Sequence, residues 1–311
     1  MSPKISVITA NYNASGHVTA AIRSVLNQTE PNLELIFSDD GSDDRSLAEA
    51  EAASGGDPRF RVVRGGPRSG PAATRNRALS VATGSWIAVV DSDDYIVPER
   101  FERMLKQAES DGADIAADDM QVFYENGAPS HRHLKGPLTR EPGWISAADY
   151  ARSNVLYGSA PALGYLKPMF RRERLGDMRY NESLRIAEDF DLVMRLLLSG
   201  ARMRVYPEAG YFYRKHAQSI SHRVTSAQVA AMRAAQDALG APADAATQKA
   251  FAERRASLVT AEAFSDLVEA LKARRIDSTL TIAARRPQAL ALLRYPIGAA
   301  FARLATKPKA K

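Results

Sequence analysis

Three carboxylates stand within four residues at Asp91-Ser92-Asp93-Asp94, directly after the apolar run Trp86 to Val90. Like charges this close repel unless a cation or strong donors compensate them. Carboxylate oxygens are the favoured ligands of Mg2+ and Mn2+, often beside substrate phosphates. The plain alternative is an acidic helix cap, because Pro98 and Glu99 announce a helix soon after. A cap rarely needs three acids, so the pattern predicts a site for a divalent cation, Mg2+ or Mn2+.

Four further segments carry groups that could act with this one. Asp39-Asp40-Gly41-Ser42-Asp43-Asp44 also follows a strand-like run. A carboxylate there would accept from a base or a ribose, but an acidic turn leading into a helix reads the same way. Gly70-Pro71-Ala72-Ala73-Thr74-Arg75-Asn76 breaks the chain and opens a helix with Arg75 in its first turns; the arginine is either a phosphate or base contact or a solvent-facing charge. Glu188-Asp189 opens the amphipathic stretch Glu188 to Leu198. A helix dipole alone favours acids at that end, and a general base for an acceptor hydroxyl is the functional reading. Tyr213-Arg214-Lys215-His216 places cations and a histidine after a strand, suited to a diphosphate or to one more metal ligand. His131 and His133, and the pair Asp118-Asp119, are weaker candidates with no nearby group that completes a site.

The elements that must position these groups alternate. Strand signals fall at Lys4 to Ala10, Leu33 to Phe37, Phe60 to Val63 and Trp86 to Val90. Helix signals fall at Ala14 to Gln28, from Asp43 with Ser42 or Asp43 as cap, and at Gly70 to Ala82. This order predicts an α/β fold with a mostly parallel sheet flanked by helices, and ligands beyond the carboxyl ends of its strands. Further strands are expected within Ala113 to Tyr124, Leu163 to Phe170 and Met203 to Tyr213. From Val224 the chain becomes Ala-rich and helical. The expected division is 1–223 as the main domain, split into 1–112 and 113–223, and 224–311 as a helical, basic extension.

Composition narrows the classes. With no cysteine among 311 residues, thiolate catalysis and cysteine-ligated zinc are excluded. The net charge of +6 is uneven: residues 272–311 hold ten Lys or Arg against Asp277 alone, leaving the first 271 at −3. Such a tail suits an anionic membrane surface, whereas the near-neutral body disfavours nucleic acid. No signal-peptide pattern and no apolar run of about 18 residues is seen. The expectation is a cytoplasmic protein, peripheral on the inner face of the membrane.

Taken in order, Ile5 to Asn13, Asp39 to Ser42, Gly70 to Asn76, Gly84 to Asp94 and Glu188-Asp189 resemble the family 2 inverting glycosyltransferases of GT-A fold, over about residues 3 to 220. The resemblance implies that Ala10, Asn11, Asp40, Arg75, Asp91 and Ser92 hold a nucleotide-sugar, with Asp40 at the base, usually uracil. It implies that Asp93, with Asp91, is the metal-binding DxD element. Asp189 would be the catalytic base with Glu188 beside it, and His216 would lie in a loop over the diphosphate as a further metal ligand. Neither the QxxRW motif nor the spanning helices of the family's processive members are found, so addition of a single sugar is expected; inversion and a place in cell-surface polysaccharide synthesis are what the resemblance implies. The acceptor would be a saccharide or a lipid-linked saccharide. A sugar nucleotidyltransferase is the nearest rival, but it would carry a Gly-rich basic loop after the first strand, where Thr9-Ala10-Asn11-Tyr12-Asn13 stands. A non-catalytic nucleotide-sugar binder would have no use for Glu188-Asp189.

Overall fold

A computed structural model describes residues 4–216 and 224–294. The first part alternates as its periodicity predicts: β1 (Ile5–Asn11), α1 (Val18–Leu26), β2 (Leu33–Asp39), α2 (Ser46–Ser54), β3 (Phe60–Arg64), α3 (Pro71–Val81) and β4 (Trp86–Val89). There follow β5 (Tyr95–Ile96), α4 (Arg100–Asp111), β6 (Ile115–Tyr124), β7 (His131–Arg132), β8 (Gly143–Ile145), α5 (Ala147–Ser153), β9 (Met169–Arg171), α6 (Arg172–Leu175), α7 (Glu188–Leu198) and β10 (Met203–Lys215). Four helices end the described chain: α8 (Ser226–Ala238), α9 (Ala245–Lys272), α10 (Ile276–Arg285) and α11 (Pro287–Ala291).

The sheet runs in the order β3-β2-β1-β4-β9-β6-β10-β5, with β7 on β6 and β8 on β10. The strands β3, β2, β1 and β4 are mutually parallel, as are β6 and β10; β9 is antiparallel to both its neighbours, β4 and β6. Helices cover the parallel part, so its inner strands are largely apolar and buried, as Ile5, Val7, Ile8, Leu35, Ile36, Phe37, Ile87 and Val89 show, while the edge strand β3 exposes Arg61 and Arg64. Because β1 and β2 pair in register from Ile5↔Leu33 to Asn11↔Asp39, their carboxyl ends meet at one edge. The chain leaving β4 reaches Asp91 beside them, since Val90 still bonds to Ile8 of β1. Both acidic clusters thus share the edge at which ligands bind in such sheets.

One expectation is corrected and another is sharpened. The helix after β2 starts at Ser46, not at Asp43, with Arg45 at its cap. Ser42 and Asp43 are engaged elsewhere: Ser42 Oγ donates to Asp39 Oδ1 at 2.6 Å, and Asp43 Oδ1 accepts from Asn13 Nδ2 at 2.7 Å. Side chains that lock a loop across to β1 are not free to cap a helix. Within Leu163 to Phe170 only Met169 and Phe170 are strand, because Leu163–Tyr165 forms a single 3-10 turn and Pro168 follows. The other expected strands and helices form within one to four residues of their expected ends.

The final helices are joined to the body. Ala250 and Phe251 of α9 belong to the main core. Val229, Met232, Leu258 and Ala261 form a second cluster against Leu156 and Ile186. Burying one Leu-sized side chain is worth about 1.5–3 kcal/mol, so these contacts hold α8 and α9 against the loops after α5 and before α7. Thr225 accepts from Gln228 N as part of a capping box, and Asp244 accepts from Thr247 N at 2.8 Å, which fixes where both helices start.

Candidate active site

A cavity of about 840 Å³ opens at the carboxyl edge of the sheet. Ala10, Asn11, Asp40, Arg75, Asp91, Ser92, Asp93, Glu188, Asp189 and His216 all line it, whereas Asp94, Asp118, Asp119, His131 and His133, also singled out from the sequence, do not.

The cavity is organised around a buried charge network. Arg75 sits on the inward face of α3 and is 5% exposed. Its Nη1 donates to Glu188 Oε1 at 2.6 Å and lies 3.5 Å from Asp189 Oδ1, while Nη2 donates to Asp91 Oδ1 at 2.9 Å. Lys167, which the sequence reading missed, completes the ring: its Nζ lies 2.8 Å from Asp91 Oδ2 and 3.2 Å from Asp189 Oδ2. Burial opposes the charge of Asp91, but Lys167 and Arg75 outweigh it and hold the carboxyl well below the usual range. Burial likewise opposes the charge of Lys167, and Asp189 and Asp91 lift its ammonium well above the ordinary value. For Glu188 burial prevails over Arg75, and the carboxyl is raised. Glu188 therefore clamps Arg75, and Asp189, more exposed than its neighbour, is the acid offered to the cavity.

The aspartate turn after β4 is fixed from β10. Tyr211 Oη donates to Asp94 Oδ2 at 2.7 Å and accepts from Asp91 N at 3.1 Å. Arg214 N donates to Asp94 Oδ1 at 2.7 Å, and Arg214 Nε to the Asp93 carbonyl at 2.8 Å. Burial, with the charges of Asp93 and Asp91, pushes the Asp94 carboxyl well above its usual value. The antiparallel pairing of β5 with Tyr211 and Phe212 aligns these partners and brings His216 within 3.0 Å of Asp93 Oδ2 through Nε2. That bond raises the imidazole above its ordinary value.

The donor set fits a hard divalent cation. Oxygens of Asp91, Asp93 and Asp94 lie within 4.8 Å of one another. Both oxygens of Asp91 already face cations, and Asp94 is buried and bonded. Asp93 and the His216 imidazole are therefore the ligands best placed to reach an ion, with the remaining positions left to phosphate and water.

Two expected contacts look different in the structure. Asn11 turns inward, donating to Asp39 Oδ1 at 2.8 Å, Ser42 Oγ at 3.0 Å and Ser46 Oγ at 2.9 Å. Asp40 accepts from Ser69 N, Ser69 Oγ, Gly70 N and Arg77 Nη2. Burial would raise this carboxyl, but these bonds from Ser69, Gly70 and Arg77 hold it at about 2. It anchors the turn before α3, and a base reaching it would share oxygens that are already bonded. Beside it the Arg68 guanidinium stacks 4.0 Å from the centre of the Tyr12 ring, giving the cavity a planar surface that the sequence did not announce.

The family model described as "Glycosyl transferase family 2" matches residues 6–175. The succinoglycan biosynthesis protein ExoO of Rhizobium meliloti (strain 1021) is 36% identical over 309 residues, covering 98% of this chain and 88% of that protein. ExoU of the same organism is 34% identical over 225 residues, covering 70% of this chain and 65% of that protein. Among solved structures, S. aureus TarS 1-349 in complex with UDP-GlcNAc superposes with a TM-score of 0.67 at 22% identity, covering 92% of each chain. The mannosyltransferase PcManGT from Pyrobaculum calidifontis, in complex with GDP-Man and Mn2+, gives 0.62 at 16% identity, covering 96% of this chain and 80% of that one. These two likenesses bear on the fold, which is GT-A. With a family model spanning more than half its length and a relative aligned along nearly all of it, this chain belongs to glycosyl transferase family 2.

Proposed function

We propose that the protein transfers one sugar from a nucleotide-sugar, a UDP-sugar, to an acceptor hydroxyl with inversion, in bacterial exopolysaccharide synthesis. One observation carries this reading: Asp189 faces the same cavity as the Asp91 to Asp94 turn and is tied to Asp91 through both Lys167 and Arg75. A proton acceptor and a leaving-group site are thereby held in one frame, as an in-line displacement needs. The succinoglycan function in the names of ExoO and ExoU supports the pathway class, and the TarS complex supports a uridine donor.

In this reading Tyr12 and Arg68 stack the base, and the Asp91-Ser92-Asp93 turn receives the diphosphate. A divalent cation at Asp93 and His216 would offset the charge that develops on the leaving nucleoside diphosphate. Lys167 and Arg75 orient the Asp189 carboxylate so that it takes the acceptor hydroxyl proton as that oxygen attacks the anomeric carbon from the opposite face. Asp189→Asn should lower transfer by about 10²- to 10⁴-fold, the usual worth of a general base, with donor affinity retained. Full activity in this variant would refute the assignment. The anomeric proton coupling of the product reads inversion directly.

We also place the protein at an anionic membrane surface. Ile276 and Leu280 of α10 are 72% and 64% exposed, and Arg274, Arg275, Arg285 and Arg286 flank them. Among the described residues no helix is long and apolar enough to cross a membrane. The basic end of the tail expected from the sequence, residues 295–311, lies outside the described residues.

A further inference from the structure

Three arginines are buried among the described residues: Arg75, Arg100 and Arg254. Arg75 meets Asp91, Glu188 and Asp189, and Arg100 bonds both oxygens of Asp118. Arg254, on α9, is 2% exposed and has no carboxylate within ion-pairing distance among the described residues. The undescribed segments contain no Asp or Glu that could supply one. Asp191 is the acid whose charge it feels, but that carboxylate is held by Arg195 at 2.7 Å. Tyr150, the other group that acts on it, is a neutral phenol stacked on Phe190.

The surroundings of Arg254 are half built. Nη1 donates to Gln236 Oε1 at 2.6 Å, Cζ lies 3.6 Å from the centre of the Phe190 ring, and Nε has no partner. Burial without a counter-charge pulls the guanidinium down to about 10, so it is still charged at neutral pH. A buried unpaired charge is costly, and this one lines the same cavity as Asp189, next to Phe190, the residue that follows the acid. Around it the wall is apolar, with Leu156, Val229 and Met232.

We propose that Arg254 is an anion subsite of the cavity, taking an oxyanion carried by the acceptor, a phosphate or a carboxylate, and so placing the acceptor hydroxyl beside Asp189. The anion site stands on Arg254 itself; its assignment to the acceptor rests on the glycosyl-transfer reading. The planar fork of the guanidinium suits an oxyanion better than a neutral sugar hydroxyl, and its buried Nε–H is a donor left without a partner.

The test observes that N–H directly. In the full chain labelled with nitrogen-15, the Arg254 Nε–Hε resonance is assigned by its contacts to the Phe190 ring and by its loss in Arg254→Lys. Inorganic phosphate, acetate and chloride are then titrated separately at matched ionic strength. A saturable shift with phosphate or acetate, and none with chloride, supports the subsite, and the tighter of the two identifies the acceptor group as phosphate-like or carboxylate-like. No shift with either, or the same shift with chloride, overturns it and leaves Arg254 as a packing group on Phe190. Because the readout is binding, a chain that shifts but transfers no sugar would keep the anion site and refute the transferase reading. A chain that transfers sugar without a shift would do the reverse.

Discussion

Lys167 touches two carboxylates to which the proposed reaction gives different tasks, Asp91 at the leaving-group side and Asp189 at the acceptor side. Replacing it by Met would leave both acids with only Arg75 between them. Removing one partner from a buried ion network costs about 3–5 kcal/mol, so Lys167→Met should lower the unfolding midpoint and depress transfer, while Lys167→Arg recovers part of both. Thermal unfolding beside a nucleotide-release assay checks this; an unchanged midpoint would show the network to be loosely held. Asp40 makes a prediction of the opposite kind, about pH. Its folded value of about 2 lies below the usual 3.8, so its contribution is fully present above about pH 4 and is lost as pH falls towards 2. The shift corresponds to about 2 kcal/mol at 1.36 kcal/mol per unit. Denaturant titrations at pH 6 and at pH 3 should show a larger acid loss for the native protein than for Asp40→Asn.

At the scale of elements, the parallel half of the fold was legible because each strand from β1 to β4 is a short, mostly apolar and β-branched run closed by turn residues, with Glu34 and Arg61 interrupting β2 and β3. The aspartate turn and the start of α7 were legible for the same reason, being local signals. Lys167, Tyr211 and Arg254 were not. Their roles come from packing between segments far apart in sequence: Lys167 meets Asp91, and Arg254 meets Phe190. The one trace of Lys167 was a lone charge inside the apolar stretch Tyr165 to Phe170. The strand expected within Leu163 to Phe170 forms only from Met169, because pairing begins after Pro168, and hydrophobicity alone does not show where. Close packing between elements also gives a test. A Cβ on Gly84, just before β4, would stand 2.6 Å from Ser6 N and 2.8 Å from Ser6 Oγ on β1. The neighbouring backbone belongs to a paired strand and cannot yield freely, so Gly84→Ala should cost about 1–3 kcal/mol. Denaturant midpoints measure it, and a cost below about 0.5 kcal/mol, the usual limit for a surface change, would show that β1 and β4 separate more easily than their register suggests.

Over the whole molecule, the proposal of a membrane contact turns on where charge and apolar exposure lie. The first 271 residues carry a net charge of −3 and the last forty a net of +9. In that basic region α10 buries none of its residues and leaves Ile276 and Leu280 outward, with Leu271 and Leu290 also exposed on the flanking segments. An amphipathic helix of this kind binds membranes by apolar insertion together with attraction to anionic lipids, and each basic residue near the surface adds about 1 kcal/mol. The two contributions separate experimentally. Flotation with vesicles containing anionic lipid should recover the full chain at low salt and lose it progressively as salt rises, since screening shortens the electrostatic reach. Ile276→Ser with Leu280→Ser should weaken flotation even at low salt, because these side chains support nothing inside the fold. Retention on wholly neutral vesicles, or equal flotation of a chain ending at Ala273, would place any membrane contact elsewhere on the molecule.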